Sequence, residues 1–282
     1  MRAPFSWYGA KYTFADWILG FIPQKPHMYC EVFGGAGGVL IRKRRHYVEV
    51  FNDLDSRIVN FFNVLRDNYE QLMHKLEHTP YSREHWNALK DVDQAKGVDG
   101  AYAFFVRIEQ SFSAKGTAWT CRYVALDRKQ AGNRAITFSN RVDNLRLVVK
   151  RLKEVQFENT CAIKLIWRLA EYGSNVIIYA DPPYLLRTRK GGRAYKFEMS
   201  VCEHDNFLSA VASSPCAVVV SGYESDRYRE ALADWDVHKK EIACPANNQG
   251  GAGHTRREEI LWVNPVCRDL LHAEKKQLVL GL

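Results

Sequence analysis

Residues 28–38 read Met-Tyr-Cys-Glu-Val-Phe-Gly-Gly-Ala-Gly-Gly, an apolar segment that runs directly into a cluster of glycines. The apolar part predicts a short buried strand over residues 28–33, and residues 39–45 are predicted to form the helix that follows. Glycines between a first strand and a first helix let a ligand approach the backbone at the helix N-terminus. The stretch therefore predicts a strand–loop–helix unit with a binding site at the end of its strand.

A carboxylate follows the next predicted strand. Residues 47–51 are apolar apart from Glu49 and end in Asn52-Asp53-Leu54-Asp55. An acid about twenty residues after a glycine loop, at the end of the second strand, can accept hydrogen bonds from both hydroxyls of a ribose. Loop and acid together favour a nucleoside-containing cofactor. The loop is not Gly-x-Gly-x-x-Gly, so a dehydrogenase is less favoured.

Strands and helices alternate in the first and last parts of the chain but not in the middle. Residues 58, 61, 62 and 65 are apolar at helical spacing, whereas residues 67–153 show only short amphipathic helices at 82–90, 100–110 and 140–153. Alternation resumes with predicted strands at 155–157, 175–180 and 216–221 and helices at 163–172, 203–213 and 227–235. Two final strands, near 237–243 and 259–263, have no helix between them and flank a Gly-rich loop over 247–253. We therefore predict a doubly wound, mostly parallel α/β sheet with an antiparallel edge.

The tetrapeptide Asp181-Pro182-Pro183-Tyr184 follows the apolar run over residues 176–180. The Asp181 carboxylate and the Pro182 carbonyl can each accept a hydrogen bond from an exocyclic amine. The prolines have a fixed φ and no N–H, so the carbonyl is held rigidly. Tyr184 offers a face on which a planar ring can stack. The tetrapeptide predicts a site for a planar ring that carries an amine.

Composition is that of an ordinary globular protein, with 46% hydrophobic and 26% charged residues. No apolar run approaches the roughly 20 residues of a membrane span, and the N-terminus lacks a signal-peptide core. Seven cysteines without a Cys-x-x-Cys pair indicate reduced thiols rather than a disulfide framework or a zinc site. We expect a cytoplasmic protein that does not contact a membrane.

The net charge of +8 is concentrated in two segments. Residues 112–154 hold ten basic and three acidic residues, a net charge of +7. Residues 187–196 hold five basic residues and no acid, a net charge of +5, which leaves −4 for the rest of the chain. Such localised charge is typical of a surface that binds a polyanion.

Five segments of the chain together resemble the D12 class of adenine-N6 DNA methyltransferases, which includes the Dam-type enzymes. In chain order they are Trp7-x-Gly9-x-Lys11, Glu31-x-Phe33-x-Gly35-x-Gly37, Asn52-Asp53-x-Asp55, Asp181-Pro182-Pro183-Tyr184 and Arg257-Glu258-Glu259-x-Leu261-Trp262-x-Asn264. They follow the family's order and span nearly the whole chain. The Asp at the first position of the tetrapeptide separates this family from two others. Release-factor glutamine methyltransferases have Asn at that position, and most cytosine-N4 enzymes have Ser.

The resemblance implies a Rossmann-like methyltransferase sheet formed by residues 1–66 and 155–282, with residues 67–154 as an inserted, mainly helical DNA-recognition domain. It implies S-adenosylmethionine as cofactor, S-adenosylhomocysteine as product, and no metal. The cofactor-binding residues would be Trp7, Lys11, Phe33, Gly35, Gly37, Asp53 and Asp181. The family's acid after the third strand has no clear match in residues 157–161, so the contact to the cofactor's adenine stays unassigned.

The resemblance also implies the target. The N6 amine of an adenine flipped out of duplex DNA would meet Asp181, Pro182 and Tyr184 as the catalytic residues. The basic segments would bind double-stranded DNA. The DNA-binding residues we predict are Lys115, Trp119, Arg122, Asn133, Arg134, Arg141, Arg187, Arg189 and Lys190.

Several alternatives stay open. An RNA adenine methyltransferase shares the chemistry, and a catalytically silent DNA-binding regulator shares the binding surface. A homodimer on a palindromic site and a separately encoded restriction endonuclease partner are both compatible with the sequence. We expect a bacterial or phage-encoded protein that is associated with the nucleoid. The residues do not tell whether it is an orphan regulator or part of a restriction–modification pair, nor which DNA sequence it reads.

Overall fold

The protein is built around a mixed, seven-stranded sheet. The computed structural model describes residues 1–120, 133–184, 196–222, 224–243 and 256–280. The strands are β1 (Met28–Glu31), β2 (Val48–Asn52), β3 (Val155–Glu158), β4 (Val176–Ala180), β5 (Ala217–Gly222), β6 (Asp236–Ala243) and β7 (Arg256–Val263). Their order across the sheet is β3-β2-β1-β4-β5-β7-β6. The pairs among β1–β5 are parallel, whereas β7 is antiparallel to both β5 and β6, which confirms the predicted sheet.

The order of the strands reverses at β1, which lies between β2 and β4. Glu31 at the end of β1 pairs with Phe51 of β2 and Tyr179 of β4, so the three strands end side by side. Ligands of open α/β sheets bind outside the carboxyl ends of the strands, at the point where the strand order reverses. The predicted glycine loop, acid and tetrapeptide all leave the sheet at this edge.

Helices pack on both faces of the sheet. They are α1 (Ala15–Leu19), α2 (Ser56–Asp67), α7 (Ala162–Leu169), α8 (Val201–Ala212), α9 (Asp226–Ala231) and α10 (Pro265–Leu280). The four apolar positions predicted for the second of these, Ile58, Phe61, Phe62 and Leu65, are all buried. The terminal helix α10 was not predicted, although Pro265 at its first position is a known start signal. Within the described ranges, no helix is both long enough and apolar enough to cross a membrane.

The helix predicted over residues 39–45 is wrong. Those residues form turns, with backbone bonds such as Ile41 N–H to the Gly37 carbonyl (3.0 Å). Val39, Leu40 and Ile41 are all buried, and a surface helix cannot bury three consecutive side chains on one face. The Leu40 N–H donates instead to the Glu31 carboxylate (3.0 Å), so the segment is tied back to β1.

The middle of the chain is helical, as predicted. Its helices are α3 (Tyr69–Glu77), α4 (Arg83–Ala88), α5 (Gly97–Glu109) and α6 (Arg134–Leu152), of which α3 was not predicted. Helix α6 begins six residues earlier than expected because the Asn133 side chain caps it. Phe105 of α5 stacks on Phe61 of α2 with ring centroids 5.6 Å apart, so these helices share the core of the sheet. The domain boundaries at residues 67 and 154 stay predictions.

Candidate active site

A pocket of about 920 Å³, counting the solvent space at its mouth, lies at the edge where β1, β2 and β4 end. Six of the seven predicted cofactor-binding residues line it. They are Trp7, Lys11, Phe33, Gly35, Asp53 and Asp181. The seventh, Gly37, lies behind the wall, where its N–H donates to the Gly34 carbonyl (2.8 Å) and closes the loop.

The glycine loop passes between two aromatic side chains. Gly35 has φ of +52°, and a Cβ there would lie 3.0 Å from the Trp7 ring. A Cβ on Gly34 would lie 2.2 Å from the Phe51 ring. Side chains at these two places would clash with the aromatic rings or strain the backbone, so the loop has this path because it is made of glycine.

Asp53 holds the glycine loop through its backbone. One carboxylate oxygen accepts from the Gly35 N–H (2.8 Å) and the other from the Asp55 N–H (2.8 Å). Burial raises the pKa of Asp53 to about 6, while these N–H donors oppose the rise. Each carboxylate oxygen has a second lone pair, so Asp53 can also accept from ligand hydroxyls. Asn159, in the segment without a family match, donates to the Asp53 carbonyl (2.7 Å) and fixes this turn.

Lys11 and Asp181 form a buried ion pair at the pocket wall. The Lys11 ammonium lies 2.8 Å from Asp181 Oδ1 and donates to the Gly9 carbonyl (3.0 Å). The Lys11 side chain is 6% exposed and that of Asp181 is 18% exposed. Burial raises the pKa of Asp181, and the neighbouring ammonium opposes that rise because it favours the charged carboxylate. The sequence predicted both residues but not their contact.

The tetrapeptide is turned partly away from the pocket. Pro183 lines the pocket, whereas Pro182 and Tyr184 are buried behind it. The Tyr184 hydroxyl lies 3.1 Å from Asp181 Oδ1 and 2.9 Å from Glu259 Oε1, and the Lys11 ammonium lies 4.7 Å from the centre of its ring. The stacking role of Tyr184 stays a prediction.

Sequence reasoning gave no role to several residues of this site. Glu31 lines the pocket and accepts from the Tyr29 hydroxyl and the Leu40 N–H, both at 3.0 Å, and burial raises its pKa to about 8. An acid inside an apolar strand was the available signal. Phe197 and Met199 line the opposite part of the wall, and no motif marked them. In the part of the chain that the structure describes, no group of three or more His, Cys, Asp and Glu side chains is placed to hold a metal ion.

Eight of the nine predicted DNA-binding residues fall into three groups. Lys115 is exposed, with its ammonium 5.4 Å from the centre of the Tyr8 ring, and Arg134 is half-buried on α6. Trp119 packs against Tyr81, and the Asn133 side chain is engaged in capping α6. Arg122, Arg187, Arg189 and Lys190, like the Gly-rich loop over 247–253, lie outside the described residues.

Arg141 points into the protein rather than towards solvent. Its guanidinium donates to the Ala3 carbonyl (3.0 Å) and the Ser6 hydroxyl (3.2 Å), and it lies 3.6 Å from the buried Glu109 carboxylate. Glu109 accepts from the Ser6 N–H. Helices α5 and α6 thus hold the N-terminal arm whose next residue, Trp7, lines the pocket.

Comparison with known proteins agrees with this site. Residues 7–110 match the family model of the D12 class N6 adenine-specific DNA methyltransferases. The chain is 25% identical over 279 residues to the Type II methyltransferase M1.LlaDCHI of Lactococcus lactis subsp. cremoris, covering 93% of this chain and 95% of that protein. It is 23% identical over 194 residues to the modification methylase StsI of Streptococcus sanguinis, covering 67% of this chain and 29% of that protein.

Among solved structures, a SAM-dependent methyltransferase from Agrobacterium tumefaciens is similar, and the alignment covers 92% of this chain and 63% of that chain. The identity is 13% and the TM-score is 0.38, too low to support an argument about this chain. The family match agrees with two observations on the chain itself. The motifs occur in the expected order, and the sheet brings them to one pocket. Over residues 7–110 the chain is thus similar to the D12 class of N6 adenine-specific DNA methyltransferases, and over 93% of its length it is similar to a Type II methyltransferase.

Proposed function

We propose that this protein transfers a methyl group from S-adenosylmethionine to the N6 amine of adenine in DNA. The observation that carries the proposal is the position of Asp181. Its carboxylate lies on the wall of the glycine-loop pocket and is paired with Lys11 at 2.8 Å. A hydrogen-bond acceptor for an amine therefore stands next to a site suited to a nucleoside cofactor.

The pocket residues fit S-adenosylmethionine. Gly35 leaves the loop backbone open to a ligand between Trp7 and Asp53, and Asp53 keeps lone pairs for ribose hydroxyls. The cofactor supplies an electrophilic methyl group on a sulfonium. Lys11 and Asp181 lie on the same wall, where a target amine can meet that methyl group.

Methyl transfer then depends on how the amine is held. The N6 lone pair of adenine is delocalised into the ring, which makes N6 a poor nucleophile. Hydrogen bonds from N6 to Asp181 and to the Pro182 carbonyl would favour a tetrahedral nitrogen and localise the lone pair. Bound S-adenosylmethionine would supply the methyl group to N6 and leave as S-adenosylhomocysteine, and the Asp181 carboxylate would accept the N6 proton that is lost. Positioning and local electrostatics supply this kind of catalysis.

Double-stranded DNA is the proposed substrate, and the target base would be flipped out of the helix. Support comes from the net charge of +5 over residues 187–196 and from the basic residues of 112–154 other than Arg141 and Arg151, which pair with the buried Glu109 and Glu49. Lys115 is exposed after α5, and its ammonium lies 5.4 Å from the ring centre of Tyr8, which lines the pocket. Phosphate contacts by such residues release counterions, so DNA affinity should fall steeply with salt.

A transfer assay with tritiated S-adenosylmethionine tests the function. Methyl-free genomic DNA, the same DNA denatured, and total RNA are compared as acceptors, and the modified base is identified by mass spectrometry. We expect N6-methyladenine in duplex DNA. Label in RNA alone, or in cytosine, would refute the proposal, and no transfer at all would favour the silent regulator. Sequencing of the modified bases then gives the recognition site.

A restriction partner and a dimer belong to the same proposal. The relatives are named as a Type II methyltransferase and a modification methylase, which supports a role in protecting DNA from a separately encoded endonuclease. A palindromic recognition site would favour a homodimer, because the symmetry of the site then matches that of the protein. Light scattering with and without the methylated sequence distinguishes one bound copy from two.

A further inference from the structure

A second carboxylate, Glu259, lies beside the ion pair of Lys11 and Asp181. Strand β7 places it there, 75 residues from Tyr184 along the chain. Strand residues alternate between the faces of a sheet, and Glu259 shares its face with Leu261 and Val263 of the core that also holds Tyr179. Glu259 is 4% exposed.

Glu259 and Asp181 compete for the same hydrogen-bond donors. The Tyr184 hydroxyl has one hydrogen and two carboxylate acceptors, Glu259 Oε1 at 2.9 Å and Asp181 Oδ1 at 3.1 Å. The Lys11 ammonium lies 2.8 Å from Asp181 and 3.7 Å from Glu259. When the hydroxyl donates to Glu259, an Asp181 lone pair is released.

That competition bears on the target amine. Asp181 can accept a hydrogen bond from the amine only with a lone pair that no donor of the protein already occupies. Each hydrogen bond that Asp181 receives from the protein also makes its carboxylate a weaker acceptor. We propose that Glu259 is a positioning residue for methyl transfer: it holds the Tyr184 hydroxyl and shares the Lys11 ammonium, so that Asp181 keeps its acceptor capacity for the amine. The inference rests on the proposed function and adds a residue to its machinery.

The charged surroundings of Glu259 set the expected pH dependence. Among the described residues, the titratable groups that interact with Glu259 are Lys11, Asp181, Tyr184 and, from β4, Tyr179. Burial raises the pKa of Glu259 to about 7 and Lys11 opposes that rise, while Asp181 adds to it. The charge of Asp181 acts in this direction because two nearby carboxylates disfavour each other's ionisation.

The test is Glu259→Gln, which keeps the size of the side chain and an oxygen for the Tyr184 hydroxyl but removes the charge. We expect kcat to fall at least about tenfold while KM for S-adenosylmethionine changes less than about threefold. The acid limb of the kcat profile should move to lower pH, because the variant lacks the carboxyl group whose pKa is raised to about 7. The matched control is Glu258→Gln, the exposed neighbour on the same strand, which should change neither quantity.

Two more variants show whether the effect passes through Tyr184 and whether folding matters. In a Tyr184→Phe background the hydroxyl is gone, so Glu259→Gln should cost less than it does in the wild-type protein. Glu259→Asp keeps the charge but retracts the carboxylate, and an intermediate kcat is expected. If Glu259→Gln does not fold, as judged by circular dichroism, Glu259→Asp carries the test. A kcat and pH profile unchanged by the folded variant refute the inference.

A measurement without DNA separates this inference from the proposed function. The protein is titrated with S-adenosylmethionine in a calorimeter, in buffers of different ionisation enthalpy. The dependence of the binding heat on the buffer gives the number of protons released on binding. The cationic cofactor disfavours protonated carboxylates nearby, so the wild-type protein should release protons at pH 7 and Glu259→Gln fewer. Equal release in both proteins overturns the coupling of Glu259 to the site. Wild-type protein that binds the cofactor but never methylates DNA adenine overturns the proposed function instead.

Discussion

Replacing Lys11 with methionine should separate two roles of this lysine, binding the cofactor and supporting Asp181. The substitution keeps most of the apolar stem and removes the ammonium that lies 2.8 Å from Asp181 and 3.7 Å from Glu259. Both carboxylates then lose this cation in a buried site. Asp181 should respond first, because its contact is the shorter one.

The size of the effect follows from these distances. At an effective dielectric constant of about 20, a pair of unit charges 2.8 Å apart interacts by about 6 kcal/mol, and a pair 3.7 Å apart by about 4.5 kcal/mol. Desolvation offsets much of this, and removing one partner of a buried pair costs about 3–5 kcal/mol. If about 3 kcal/mol of that is lost in the transition state, kcat falls roughly a hundredfold.

The substitution should also shift the pH dependence of kcat in a defined direction. The Lys11 ammonium opposes the raised pKa of Asp181, so its loss raises that pKa further and favours the protonated carboxyl. The acid limb of kcat should therefore move to higher pH, the opposite direction from Glu259→Gln, and activity should partly recover as the pH rises.

The assay is steady-state methyl transfer to duplex DNA between pH 5.5 and 9, with cofactor affinity from calorimetry. Lys25→Met, at an exposed lysine in the loop before β1, is the matched control. If Lys11→Met lowers only the affinity for S-adenosylmethionine and leaves kcat and its pH profile unchanged, the reasoning about Asp181 is refuted.

The remaining predictions concern two carboxylates and two arginines. Asp181→Ala should reduce methyl transfer below a few per cent of wild type while circular dichroism and DNA binding stay unchanged; higher residual activity excludes it as the acceptor. Asp53→Ala should raise the Kd for S-adenosylmethionine at least about tenfold, about 1.4 kcal/mol. Because burial raises the pKa of Asp53 to about 6, wild-type affinity should also weaken as the pH falls through that value, and calorimetry checks both. Arg141→Ala should lower the free energy of unfolding in urea by about 2–3 kcal/mol, since it leaves Glu109 buried without its cation. Arg134→Ala on the same helix should instead mainly reduce the salt dependence of DNA binding, and the reverse pattern would contradict the assignment of Arg141.

The sequence by itself determined the sheet and the location of the pocket. Local patterns are sufficient there, because apolar runs mark strands and parallel strands deliver the residues that follow them to one edge. The glycine loop after β1, Asp53 after β2 and Asp181 after β4 could therefore be placed together before any contact was seen. Helix α2 was predictable for a similar reason, since its buried positions recur at helical spacing.

Only the tertiary structure decided which side chains meet. Lys11 and Asp181 are 170 residues apart and Glu259 comes from an antiparallel strand, so no local period reports their contact. Arg141 looked like a phosphate ligand from its charge, but the packing of α5 and α6 turns it towards Glu109 and the N-terminal arm. Residues 39–45 have a helical pattern, yet burial of three consecutive side chains beneath the sheet edge overrides it. Charge and periodicity are properties of a segment, whereas the partner of a buried charge is set by the whole fold, because a buried charge must find its counterion wherever packing places one.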